Sequence, residues 1–192
     1  MKRMLITGFD PFGGGVINPS WEAVQRLPDA IGEYCLEKLE IPTIFGEAAN
    51  MVLHAAEAMF ADVILCVGQA GGRKAVTPER IGINLRDANI ADNAGKQPHL
   101  DPVVVGGADG YFATVPVDNI VKKIVGAGYP AFVSNSAGTF VCNDVLYTLL
   151  HHFRDSKVMV GFIHVPWLPE QGEPSMALED IVRALEAAIL AI

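Results

Sequence analysis

Short apolar runs of extended character alternate with helically repeating apolar residues along the whole chain, and this alternation narrows the possible folds more than any other feature. Residues 4–7 read as a first strand leading into the glycine-rich "GFDPFGGG". Asn18 and Pro19 are the residue types of a helix N-cap and first helical position, opening a short helix to about Leu27. An extended run over residues 35–41 precedes the amphipathic stripe Phe45, Ala48, Ala49, Val52, Leu53 and Ala56. The run "DVILCV" at 62–67 is almost wholly apolar, as a buried strand is, and leads into "GQAGGR". Ile120, Val121, Ile124 and Val125 mark another helix, stopped by Gly126 and Gly128. The strand "AFVS", a helix bearing Val141, Val145, Leu149 and Phe153, the strand "VMVGFIHV" and a helix from Ser175 onward complete the series. Such a series predicts an α/β chain, a three-layer α/β/α arrangement with a mostly parallel central sheet. No repeat, linker or low-complexity segment divides it, so residues 1–192 are expected to form one domain.

Composition removes several function classes. With 51% apolar and 19% charged residues the chain is a folded, well-buried protein. A net charge of −8, with no Lys/Arg cluster, argues against a nucleic-acid partner. Residues 124–143 carry no charge but contain Gly, Pro, Ser, Asn and Thr, which rules out a membrane-spanning helix. The apolar run in "MKRMLITGFDPFG" is too short for a signal peptide. Cys35, Cys66 and Cys142 are odd in number and widely spaced, with no CxxC or Cys/His cluster. Neither zinc nor any other metal is implied, a disulfide framework is not expected, and a reducing compartment, the cytoplasm, is.

Cys142 sits where the breaker segment 135–138 hands over to the apolar-periodic helix, in "SNSAGTFVCNDVLYTLLHHF". A thiol in the first turn of a helix faces unpaired N–H groups and the positive end of the macrodipole, which favour a thiolate. A free cysteine is also a small buried hydrophobe in many cores, and both readings stand on this stretch alone. His164 ends a strand that is apolar on both faces, where ligands bind in open parallel sheets, beyond the strands' carboxyl ends. His54 lies inside an amphipathic helix and His151 and His152 end one, so these three read as structural; His99, in a polar loop, stays open. Glu79 shares parity with Ile81, Ile83 and Leu85, so a strand here carries a carboxylate on an apolar face. Its bland alternative is a surface ion pair with Arg80 or Arg86. Together Cys142, His164 and Glu79 supply a nucleophile, a base and a carboxylate to orient the base.

"GFDPFGGG" lacks the Lys-Ser/Thr of a P-loop and the spacing of a dinucleotide fingerprint. Phe9 and Phe12 on this loop suit a clamp for a flat apolar ring, or core at the end of the sheet. The polar stretch "RDANIADNAGKQPHLD" is long for a compact domain and suggests a functional loop or lid.

"TGFDPFGG", "GQAGGR…TPERIGIN", "AGTFVCN" and "GFIHVPWLPEQ" resemble the pyroglutamyl peptidase I, or pyrrolidone-carboxylate peptidase, family. The similarity runs from the first strand to about Gln171 and is weakest over residues 28–42 and in the last helix. It implies a phosphorylase/hydrolase-like fold and a cysteine peptidase that removes N-terminal pyroglutamyl residues from peptides, with no cofactor. By motif it makes Cys142 the nucleophile, His164 the base and Glu79 the orienting carboxylate. It also assigns Phe9, Phe12 and Phe140 to an aromatic pyroglutamyl pocket, and Asn18 and Gln69 to lactam binding. Three residues depart from the pattern: Asn89 stands where the family usually has arginine, Gly82 where it has alanine, and Asp144 where it has histidine. Losing the arginine would weaken charge stabilisation at the site, and Asp144, two positions along, should point away from Cys142. The rivals are a nucleoside phosphorylase-like enzyme of the same fold, binding phosphate on "GFDPFGGG", and a weakly active or non-catalytic pyroglutamate-binding relative. The apolar final helix and the uncharged 124–143 stretch suggest exposed apolar surface, and with the resemblance a homo-oligomer, a tetramer.

Overall fold

The computed structural model describes all residues from Met1 to Ile192. The elements run β1 (Lys2–Phe9), α1 (Pro19–Val24), β2 (Ala30–Ile31), β3 (Tyr34–Ile41), α2 (Glu47–Met59), β4 (Val63–Gln69), β5 (Thr77–Pro78), β6 (Ile81–Ile83), β7 (Gly110–Phe112), α3 (Val117–Gly126), α4 (Val141–Phe153), β8 (Met159–Val165) and α5 (Leu178–Ile189). Six strands form the central sheet in the order β2-β3-β1-β4-β8-β5. The β3–β1, β1–β4 and β4–β8 pairs are parallel, while β2 and β5 close the edges antiparallel.

Side-chain alternation divides the core into two layers. Met4 and Ile6 of β1, Val63, Leu65 and Val67 of β4, and Ile163 and Val165 of β8 face a core shared with α1, α3 and α5. Leu5 and Phe9, Ile64 and Cys66, and Val160 and Phe162 face the other way, onto α2 and α4. The three-layer expectation therefore holds, and the same parity puts His164 on the α4 side of the sheet.

Several local expectations are met by their expected physics. Asn18 caps α1, its Oδ1 accepting from Ser20 N at 3.1 Å, with Pro19 as first helical residue, though the helix ends at Val24 rather than near Leu27. The "AFVS" segment makes two isolated parallel bridges, Val76 to Ala131 and Glu79 to Ser134, instead of a strand. The segment from Glu79 is not one strand either. It breaks at Glu79–Arg80 because β5 belongs to the central sheet and β6 pairs with β7 in a separate ribbon. The final helix begins at Leu178, not Ser175, and buries Ile181, Leu185, Ala188 and Ile189 against the chain's own sheet. It does not offer the exposed apolar face its sequence suggested. No helix is long and apolar enough to cross a membrane.

Candidate active site

Three strand ends and one helix start meet at the carboxyl edge of the sheet, and strand register explains why. Gly68 of β4 lies beside His164 of β8, and Thr77 of β5 beside His164 on the other flank. One step further, Glu79 N donates to Phe162 O at 2.8 Å, which carries Glu79 to the α4 side of the sheet. Cys142 is the second residue of α4. Its Sγ rests on Gly68: a Cβ built there would lie 3.0 Å from the sulfur and 2.8 Å from the Phe162 ring. A side chain at position 68 would displace the thiol, so this glycine is required by a close approach rather than by a turn.

Glu79 is fully buried and His164 nearly so. The imidazole Nδ1 lies 2.7 Å from Glu79 Oε1. An ionised carboxylate only accepts, so Nδ1 carries the proton and Nε2 is left to take one. The surface-pair alternative for Glu79 is removed by the same geometry, since Arg80 pairs with Asp118 and Arg86 with Asp144. No hydrogen bond joins the Cys142 thiol to the imidazole; the sulfur lies against Gly68, the strand neighbour of His164.

Electrostatics set the resting protonation. Burial works to raise the Glu79 carboxyl, but His164, Ser134 and Arg73 together outweigh it and hold it below the usual range. Burial lowers the His164 imidazole more than Glu79 raises it. Burial, reinforced by the Glu79 charge, pushes the Cys142 thiol up to about 12. This corrects the expectation of a thiolate favoured by the helix start: the dipole is outweighed by burial beside a carboxylate. At neutral pH the site holds an ionised Glu79, a neutral imidazole and a protonated thiol.

The opening of α4 supplies donors. The amides of Val141, Cys142 and Asn143 have no backbone acceptor, as expected for a first turn. Asn143 instead spends its side chain on β6, accepting from Ile83 N at 2.9 Å and donating to Ile83 O and Leu85 O. Beside them Phe140 packs between Phe12, at 5.9 Å between ring centres, and Phe45, edge-on at 5.2 Å. Phe45 and Arg73 were not singled out from sequence.

A profile of pyroglutamyl peptidases matches residues 2–192. The chain belongs to the pyroglutamyl peptidase family. A pyrrolidone-carboxylate peptidase from Staphylococcus saprophyticus is 49% identical, over 99% of this chain and 92% of that protein. One from Bacillus cereus is 47% identical, over 98% and 92%. The crystal structure of Bacillus amyloliquefaciens pyroglutamyl peptidase I superposes with a TM-score of 0.96 at 43% identity, covering 100% of this chain and 96% of that one. A mutant pyrrolidone carboxyl peptidase from the hyperthermophile Pyrococcus furiosus gives 0.94 at 39% identity, covering 98% and 97%.

The remaining residues singled out by resemblance to this peptidase family fall in different places. Phe12 and Gln69 line a cavity of about 630 Å³ together with Gly13–Gly15, Ile90, Trp167 and Gln171. No Lys or Arg lines it, and Glu170 does, so nothing in this cavity supports the phosphorylase-like alternative. Gln69 Oε1 accepts from Gln171 Nε2 at 2.9 Å. Phe9 lies one layer back, buried against Phe162, which packs on the His164 ring at 4.8 Å. Asn18 is buried, its side chain given to Ser20 and to Asp10 O. Asn89 is exposed. Asp144 does turn away from the thiol, but into a buried pair: Oδ1 accepts from Arg86 Nε at 2.6 Å and Oδ2 from Gly46 N at 2.7 Å.

The long polar stretch is tied to the chain on either side of the site by hydrogen bonds. Asp92 accepts from the amides of Phe45, Ala94 and Lys96, and Asn93 donates to the Asp10 carboxylate and to Pro11 O. His99 pairs with Asp87 at the surface, and His151 and His152 with Tyr111 and Glu57. No group of three His, Cys, Asp or Glu side chains is placed to hold a metal ion.

Proposed function

We propose that this peptidase removes the N-terminal pyroglutamyl residue from peptides through an acyl-enzyme on Cys142, with His164 as base and Glu79 as the carboxylate that orients it. The observation that carries this reading is the buried Glu79–His164 pair, 2.7 Å apart, on the sheet face where α4 presents Cys142. With the resting thiol protonated, attack on the pyroglutamyl carbonyl is coupled to transfer of the thiol proton to His164 Nε2. Negative charge developing on the carbonyl oxygen is met by first-turn amides of α4. The imidazolium, stabilised by Glu79, then gives its proton to the leaving amine. A water deprotonated by His164 attacks the thioester, releasing pyroglutamate and the thiol.

The lactam is neutral and flat, and the Phe12–Phe140–Phe45 group offers it an uncharged aromatic wall. Gln69, which lines the same cavity as Phe12, supports polar contact with the lactam. Phe9 and Asn18 support the pocket from behind, through Phe162 and through the α1 cap. Hydrolysis of a pyroglutamyl amide that releases a chromogenic amine tests the activity: turnover in the native protein, none in Cys142→Ala. A fully active Cys142→Ala protein would refute the thiol mechanism.

One sheet with a core on each face supports residues 1–192 as a single hydrolase domain. Three unpaired cysteines, one of them exposed, support a reducing, cytoplasmic location. Val125 and Phe132 are about half exposed around a shallow apolar cavity with Tyr129 and Pro130, and this surface supports a homo-oligomer, a tetramer. Light scattering that reports a mass near 20.6 kDa would refute it.

A further inference from the structure

The Glu79–His164 pair has a third member that the triad description leaves out. Arg73 follows the Gly71–Gly72 turn at the end of β4. Gly72 takes φ +80°, and a Cβ at Gly71 would lie 2.3 Å from the Trp167 ring. The two glycines let the chain fold back tightly enough to send Arg73 under the site. Its Nη1 donates to Glu79 Oε1 at 2.8 Å and also to Thr77 Oγ1, and its Nη2 donates to Ser136 O at 3.3 Å. One guanidinium thus joins the turn after β4, the carboxylate, and the loop that leads into α4 and Cys142.

Two donors, His164 Nδ1 and Arg73 Nη1, converge on the same oxygen of Glu79, while Oε2 is buried with no hydrogen-bond partner. The groups facing this carboxylate are His164 from β8, Arg73 from the turn after β4, Ser134 from the 131–134 segment and, further off, Cys142 from α4. Ser134 Oγ directs its proton to Ser136 O. Arg73 is therefore the one permanent cation at the pair, and its side chain is about three-quarters buried. A carboxylate 2.7 Å from the imidazole favours its protonated form, a cation on the same oxygen offsets that, and an imidazolium cannot accept the thiol proton.

We infer that Arg73 is a positioning residue of the reaction: it offsets the Glu79 charge that His164 faces, adding to burial in favour of a neutral imidazole, and it ties that carboxylate to the loop before Cys142. The inference rests on the Cys142–His164–Glu79 reading and acts chiefly through Glu79. The Arg73 charge also pulls both the imidazole and the thiol downward, in the same sense.

The test compares Arg73→Met, Arg73→Lys, Glu79→Gln and the Arg73→Met/Glu79→Gln double variant, each checked for native circular dichroism and thermal midpoint. Turnover of a chromogenic pyroglutamyl amide is followed against pH, and inactivation by iodoacetamide is followed in parallel. Arg73→Met should lose roughly 100-fold in kcat at neutral pH, as small misplacements at a reacting centre do, with KM little changed. Its acid limb of kcat/KM should move to higher pH, and so should the pH dependence of thiol alkylation. Arg73→Lys, which keeps the charge but cannot bridge Glu79 and Ser136 O together, should restore the pH limb and only part of kcat. It also keeps the test decisive if the methionine variant unfolds. The double variant should be no slower than Glu79→Gln alone. An unmoved pH limb in Arg73→Met, a native kcat in Arg73→Lys, or losses that multiply in the double variant would overturn the inference while leaving the triad reading intact. A Cys142→Ala protein that still turns over would instead remove the reading on which it rests.

Discussion

Replacing Asp144 by alanine should destabilise the fold by about 3–4 kcal/mol, although the residue touches neither the thiol nor the pocket. Its carboxylate is fully buried, accepts from Arg86 Nε at 2.6 Å and from the Gly46 amide at the start of α2, and lies 2.6 Å from Arg86 Nη2 in the ion pair. Removing one partner of a buried ion pair costs about 3–5 kcal/mol because the other charge is left unpaired. Arg86 keeps 24% exposure, so water recovers part of its solvation and the lower end, about 3 kcal/mol, applies. The orphaned Gly46 amide adds up to about 1 kcal/mol. The double variant Arg86→Met/Asp144→Leu should cost less than Asp144→Ala, since it leaves no buried charge alone. Urea unfolding monitored by fluorescence reads these values as shifts in midpoint at constant slope. A loss under about 1 kcal/mol for Asp144→Ala, or a double variant at the sum of its singles, would refute the reasoning.

Phe140→Ala should weaken binding of a pyroglutamyl inhibitor by about 1–3 kcal/mol, the range for lost aromatic burial, and Phe12→Ala should fall in the same range; calorimetric affinities within error of the native protein would make these rings core filler. Gly82→Ala should cost about 1–3 kcal/mol in urea unfolding, because its Cβ would meet Tyr147 N at 3.0 Å and Cα at 3.1 Å on the α4 backbone. Iodoacetamide should modify exposed Cys35 first without loss of activity, then Cys142 with its loss, and leave Cys66, buried and pushed up to about 12, unmodified; peptide mapping with Cys66 labelled before Cys142 would contradict this order.

The strand–helix series, the Asn18 cap and the position of Cys142 in a first turn were legible because each rests on local patterns of a few residues. His164 was legible as the residue that ends a strand apolar on both faces, at the carboxyl edge of the sheet, and parity in the sheet then puts it on the α4 face. Glu79 was found by parity for a reason only half right. Its apolar surroundings are real, but the strand assumed for it breaks at Arg80, because the segment serves two sheets. The raised Cys142 thiol was not legible, since a helix start is visible in sequence while burial beside a carboxylate is a tertiary fact. Gly82, read from sequence as a residue departing from the family, turns out to be the point where β6 meets the α4 backbone. Arg73 and the ion pair of Asp144 stayed hidden for the same reason: their partners, Glu79 and Ser136 for one and Arg86 and Gly46 for the other, are fixed by the packing of separate elements. The glycines before Arg73, which allow the turn, were the available signal.

Covalent catalysis by Cys142 is tested most directly by trapping the intermediate. The native protein is mixed with an activated pyroglutamyl ester, quenched in acid within a turnover, digested and analysed by mass spectrometry. A pyroglutamyl group on the peptide that carries Cys142, absent from the Cys142→Ala protein and accumulating when deacylation is slowed, is the required result. Turnover with no acylated cysteine, or acylation of any other residue at the rate of turnover, would contradict it.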